Sequence, residues 1–168
     1  MDSTHTLGAP RAATPREWAV LPLRLIVGYG FLAHGMAKWN RGPANFGKLL
    51  HVLGVPAPLQ TAWLVTAVEV LGGLTILLGA FVLIASIPLI ISMVVAMGTI
   101  HVHYGFSAVN TIGLTPAGPV FGPPGYEINL LYIAALFALA LAGPSALSLD
   151  RWRRSARSAP EAMARDWA

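Results

Sequence analysis

WLVTAVEVLGGLTILLG, residues 63–79, is long and apolar enough to lie in lipid, yet it carries a glutamate near its middle. At 1.5 Å per residue a helix of this length crosses most of a hydrocarbon core of about 30 Å. A lone charge there costs about 2.5–3.5 kcal/mol on insertion scales, so Glu69 is expected to face protein or a water-filled cavity. Its neighbours at helical spacing agree: Ala62, Thr66, Gly72 and Gly73 share its stripe and are small enough to let another helix approach.

Composition extends this reading to the whole chain. Of 168 residues, 55% are hydrophobic and 11% charged, against roughly 25% charged in soluble domains. The fold class is therefore an all-α, polytopic membrane protein. Apolar runs at Trp18–Ala37, Thr61–Gly79, Phe81–Val102 and Tyr126–Gly143 predict a four-helix bundle. The organisation expected is a cytoplasmic segment over 1–17, a membrane domain over 18–150 and a basic cytoplasmic tail over 151–168. No small-residue cleavage site follows the first apolar run, which reads as a retained anchor.

The net charge is +4, and much of the excess lies in RWRRSAR (151–157), beside an apolar run and without the basic-aromatic interleaving of a nucleic-acid groove. Lipid is the expected partner of that tail, and nucleic acid is not expected. Four spans put both termini on one side, with Arg11, Arg16 and the arginines of the tail; the other side holds Lys38, Arg41 and Lys48. The positive-inside rule places the termini in the cytoplasm. With no cysteine, thiolate metal sites, iron–sulfur ligation and dithiol exchange by this chain are excluded. Any redox role requires a bound cofactor.

The loop over 38–60 contains NFGKLLHVLGVPAP, whose Phe46, Leu49, Leu50 and Leu53 predict a short interfacial helix. The loop over 103–125 is dense in Gly and Pro and predicts neither helix nor an ordinary solvated loop; it either folds back as a lid or is a mobile turn. On the first span Arg24, Gly28, Phe31, Gly35 and Lys38 share a face, with His34 at its edge. On the third, His103 continues the stripe Ser92, Ala96, Thr99; on the fourth, Glu127 heads Ala134, Ala138, Ala142. Each helix is expected to aim ionisable groups inward.

Measured from the end of its own span, Arg24 stands about 9 Å and Glu69 about 15 Å from the inner boundary. An extended arginine bridges that gap, so a buried Arg24–Glu69 pair is expected, with Tyr29, Thr66 or His34 adding hydrogen bonds. Such a pair serves either a site or only helix register. His34, Lys38, His101, His103 and Glu127 fall nearer the outer mouth, as a polar pocket opening outward. His101 and His103 are two residues apart and point to nearly opposite helix faces, so no metal centre is expected.

RLIVGYGFLAHGMAKW (24–39), FGKLLHVLGVPAP (46–58), EVLGGLTILLG (69–79), HVHYGF (101–106) and GYEINLLYIAALFALALAGPSALSLD (125–150) together resemble the DoxX family of small four-helix membrane proteins. The resemblance covers about residues 20–150. It implies a bundle in a bacterial or archaeal inner membrane and a place in quinone-linked redox systems, because the related DoxD protein is a subunit of thiosulfate:quinone oxidoreductase. Its residues carry over as Arg24, His34, Gly35, Lys38, Glu69, Gly72, Gly73, His101, Gly105 and Glu127. Family members often carry Thr-Arg after the LLG stretch where this chain has Ala80-Phe81.

The function expected is a membrane subunit of an oxidoreductase system that binds quinone or a small substrate in the outward pocket. Catalytic candidates are His34 and Glu127 as proton donors, Lys38 as polarising cation and Glu69 as relay. Arg24, His101, His103, Tyr104 and Phe106 are binding candidates. Electrons must come from protein partners, and a homo-oligomer is open. The alternatives are a non-catalytic anchor or assembly adaptor for soluble redox enzymes, and a small-solute or proton pathway.

Overall fold

The computed structural model describes residues 12–155. In chain order they form α1 (Pro15–Arg41), α2 (Pro43–Val52), α3 (Pro58–Leu78), α4 (Val82–Thr99), a 3-10 turn over His101–Tyr104, β1 (Thr111–Thr115), β2 (Gly118–Phe121) and α5 (Glu127–Ala142). A further helical stretch occupies 149–155. Helices α1, α3, α4 and α5 build an antiparallel bundle. Three of them are long and apolar enough to cross a membrane, while α5 is apolar but has only 16 residues.

The helix limits follow from local chemistry. At the start of α1, Thr14 and Glu17 form a reciprocal capping box, with the Thr14 amide donating to Glu17 Oε2 at 2.6 Å and Pro15 pre-setting the first turn. Helix α3 ends at Gly79, whose φ of 63° lies in the left-handed region that glycine adopts without strain. Three residues later, at Val82, α4 begins, the tight join expected for an antiparallel pair.

Helices α1 and α3 meet backbone to backbone. A Cβ on Gly73 would lie 2.5 Å from the Leu32 amide nitrogen, one on Gly28 2.7 Å from that of Leu77, and one on Gly35 2.8 Å from that of Val70. These contacts fix both the separation of the two helices and their axial offset. The core beside them gathers Val27 and Phe31 of α1, Ile76 of α3, Ala85 and Leu89 of α4, and Leu136 and Leu139 of α5. Phe31 meets Tyr132 edge to face at 5.1 Å.

Three expectations are corrected. The buried face of α5 is Asn129, Leu136 and Leu139, while Ala134 and Ala138 are not among its buried residues. On α4 the buried residues are Ala85, Ser86 and Leu89; Ser92, Ala96 and Thr99 are only partly buried and His103 is exposed. Both runs are apolar around their whole circumference, so small residues did not single out the packed side. Finally, the Gly/Pro-rich loop forms a β-hairpin whose strands pack on each other and make no substantial packing with any helix. It does not close over the bundle as a lid.

Candidate functional site

Glu69 is 2% exposed in the bundle, and its partner is Lys38. The Lys38 ammonium donates to Glu69 Oε2 from α1. The axial offset of the two helices explains the choice. Gly35 lies against Val70 and Glu69, so Lys38, one turn further along α1, reaches down to the carboxylate. Beneath the ammonium is the Phe46 ring of α2, with its centroid 5.2 Å from Nζ, a cation–π contact at the helix that follows α1. Thr66, buried one turn from Glu69, donates to the Ala62 carbonyl and not to the pair. Trp39 and Trp63 meet edge to face at 5.8 Å at the same end of the bundle.

The expected Arg24–Glu69 pair is therefore corrected. Arg24 lies level with Gly79, because a Cβ there would be 2.5 Å from Arg24 Nη1. Ten residues of α3, about 15 Å, separate Gly79 from Glu69. The span ends from which the expected depths are measured are not level: α1 is offset along α3 by its glycine contacts. Arg24 instead holds the chain after α5. Its Nη1 donates to Ser145 Oγ at 2.5 Å and the Ala146 carbonyl at 3.3 Å, and Nη2 to the Leu147 carbonyl at 3.1 Å. The Asp150 amide donates to the Gly79 carbonyl at 3.0 Å, and Asp150 Oδ2 accepts from the Val82 amide at 3.4 Å. Residues 145–150 thus strap the ends of α1, α3 and α4 together.

The remaining candidates lie apart from the Lys38–Glu69 pair. His34 and Tyr29 are exposed on the outside of α1, so neither supplies a hydrogen bond to a buried pair. Glu127 is partly buried and accepts from the Ala108 amide at 2.8 Å, stabilising the base of the hairpin. His101 Nδ1 lies 2.9 Å from the Pro124 carbonyl oxygen. His103, Tyr104 and Phe106 are exposed, with Phe106 edge to face on Tyr126 at 5.5 Å. Among the described residues no group of three His, Asp or Glu gathers to hold a metal. A cavity of about 230 Å³ lies at the opposite end, between the first turn of α1 and the end of α5.

Sequence reasoning missed Asn129, which is buried and donates from Nδ2 to the Met93 carbonyl at 3.4 Å. Its signal was available, since it is the one amide inside the last apolar run. It also missed Ser145 and Ser148 as buried polar groups beside Arg24.

The profile of the DoxX family matches residues 19–102, half of the chain, taking in both members of the Lys38–Glu69 pair. The chain belongs to the DoxX family. The uncharacterized membrane protein Rv3486 of Mycobacterium tuberculosis is similar to it, at 31% identity over 144 residues that cover 79% of this chain and 80% of that protein. No solved structure matches. The DoxX match spans α1 to α4, so α5 and the 145–150 strap lie outside it.

Proposed function

We propose that this DoxX protein is the membrane subunit of a quinone-linked oxidoreductase system, with Lys38 and Glu69 at the quinone headgroup. The observation that carries the reading is a carboxylate buried in an apolar bundle and held by an ammonium that retains contact with the surface. A charge so placed is costly, and such residues commonly mark proton or substrate routes.

The donor set suits a quinone headgroup. An ammonium has three N–H donors, so bonding to one carboxylate oxygen leaves capacity to polarise a carbonyl. The Phe46 face and the Trp39–Trp63 pair offer flat apolar surface at the same end of the bundle. A bound quinone supplies acceptor chemistry, taking up two electrons and two protons. Lys38 would orient a carbonyl oxygen, and the Glu69 carboxylate would relay the two protons, drawn from water, toward the reduced headgroup. Electrons come from a protein partner, because the cysteine-free chain has no thiol couple. His34 and Glu127 stand outside this assignment. The setting is the inner membrane with both termini cytoplasmic, supported by the excess of arginine at the Pro15 end.

The test is extraction of quinone from protein purified in mild detergent. About one quinone per wild-type chain is expected, with strong loss in Lys38→Met and Glu69→Gln variants that keep the wild-type helical signal. Wild-type protein without quinone, together with co-purifying soluble redox enzymes, would replace this reading with an assembly anchor.

A further inference from the structure

The β1–β2 hairpin has no place in the proposed site, and its surface is unusual for a segment in water. Residues 104–126 contain no charged side chain. The pairing sets Leu114 opposite Pro119, and Phe121 stands two positions beyond Pro119, so the three share one face. The other face carries Gly113, Thr115, Gly118 and Val120. Leu114 is 82% and Phe121 59% exposed. An isolated two-stranded sheet is marginal in water, and this one has an uncovered apolar side.

The base of the hairpin is nevertheless fixed to the bundle. The Gly125 amide donates to the Ser107 carbonyl at 2.9 Å, the Tyr126 amide to that of Gly105 at 3.0 Å, and the Glu127 carboxylate holds the Ala108 amide. Exposed apolar residues recur from Val94 and Val95 on α4 through Val102, Tyr104 and Phe106 into the strands, with the exposed His103 and Ser107 between them. The surface that α4 offers to lipid therefore continues into the hairpin. Helix α5 is also short: 16 residues rise about 24 Å, less than a hydrocarbon core of about 30 Å.

A second copy of the chain is the less suitable occupant. Strand β1 is irregular between Thr111 and Gly113, and β2 carries Pro119. Bulges and edge prolines both oppose addition of another strand.

We propose that the hairpin is a membrane-surface anchor, with its Leu114–Pro119–Phe121 face lying in the headgroup–acyl boundary of the leaflet at the Lys38 end. The contact is with lipid chains and not with a particular headgroup, because the hairpin has no charge to select one. The opposite face, with Thr115 as its one polar side chain, stays toward water.

The cysteine-free chain permits single-site labelling of the full-length protein. Leu114→Cys, Phe121→Cys and Thr115→Cys are each given a nitroxide and reconstituted into vesicles of phosphatidylcholine and phosphatidylglycerol. Relaxation by oxygen, which concentrates in lipid, is compared with relaxation by a water-soluble nickel chelate. Labels at 114 and 121 are expected to meet oxygen preferentially, and the label at 115 to meet nickel. These exposed positions leave the bundle core intact. Preferential nickel contact at 114 and 121 would overturn the proposal by placing the hairpin in water. Shielding of 114 from both relaxers, with dipolar broadening between labelled chains, would overturn it in favour of a second copy.

Discussion

Lys38 on α1 pairs with Glu69 on α3 because Gly35 and Val70 bring the two backbones into contact one turn away. The ion pair is thus a consequence of glycine packing. Its charges come from helices that are not adjacent in sequence, and α2 intervenes with the Phe46 ring.

Breaking the pair one residue at a time should cost more than removing it whole. Lys38→Met leaves a buried carboxylate uncompensated, and the loss is expected toward the lower end of about 3–5 kcal/mol because Lys38 keeps some solvent contact. The Lys38→Met/Glu69→Gln double variant should recover much of that loss. Thermal unfolding in one detergent compares the wild type, Lys38→Met, Glu69→Gln and the double variant. Additive losses would show that the two residues are not coupled.

The α1–α3 contact should tolerate no side chain. Gly73→Ala places a methyl 2.5 Å from the Leu32 nitrogen, where backbone cannot yield easily, and overpacking of this kind costs about 1–3 kcal/mol. A methyl on Gly98 would have nothing within 4 Å, so Gly98→Ala should be neutral or stabilising, by up to about 1 kcal/mol. A lower melting temperature for Gly98→Ala than for Gly73→Ala would contradict the packing.

Loss of the Arg24 guanidinium should release the segment after α5. Arg24→Met removes the donors to Ser145, Ala146 and Leu147, and each orphaned buried acceptor costs on the order of 1–3 kcal/mol. Faster amide exchange is expected at 145–150, with little change around Glu69, some 15 Å along α3. Exchange that rises first at Glu69 would mean that Arg24 supports the pair after all.

The first turn of α1 should depend on its cap. Thr14→Ala removes the hydroxyl that accepts from the Glu17 amide at 3.3 Å, a loss of about 0.5–2 kcal/mol. Thr14→Ser keeps the oxygen and should restore stability. Equal melting temperatures for the two variants would show that the capping box contributes nothing.

Much of the candidate site was legible because helical periodicity reports direction around an axis. Spacing alone put Arg24, Gly28, Phe31 and Gly35 on one face of α1, and Thr66, Glu69, Gly72 and Gly73 on one face of α3; all are buried. Periodicity failed on α5, where leucine and alanine alternate with no polar side to oppose them. It also gave no sign of the hairpin, since the strands are short and rich in glycine and proline, and their pairing depends on residues that hold the base, such as Glu127 and His101.

By itself the sequence determined that this is a bundle of membrane helices with Glu69 turned inward, because lipid penalises an outward charge whatever the partner. Only the tertiary structure decided that the partner is Lys38 and not Arg24. A helical pattern specifies an angle but no translation along the axis, and that translation is set by where the Gly28, Gly35 and Gly73 backbones come to rest.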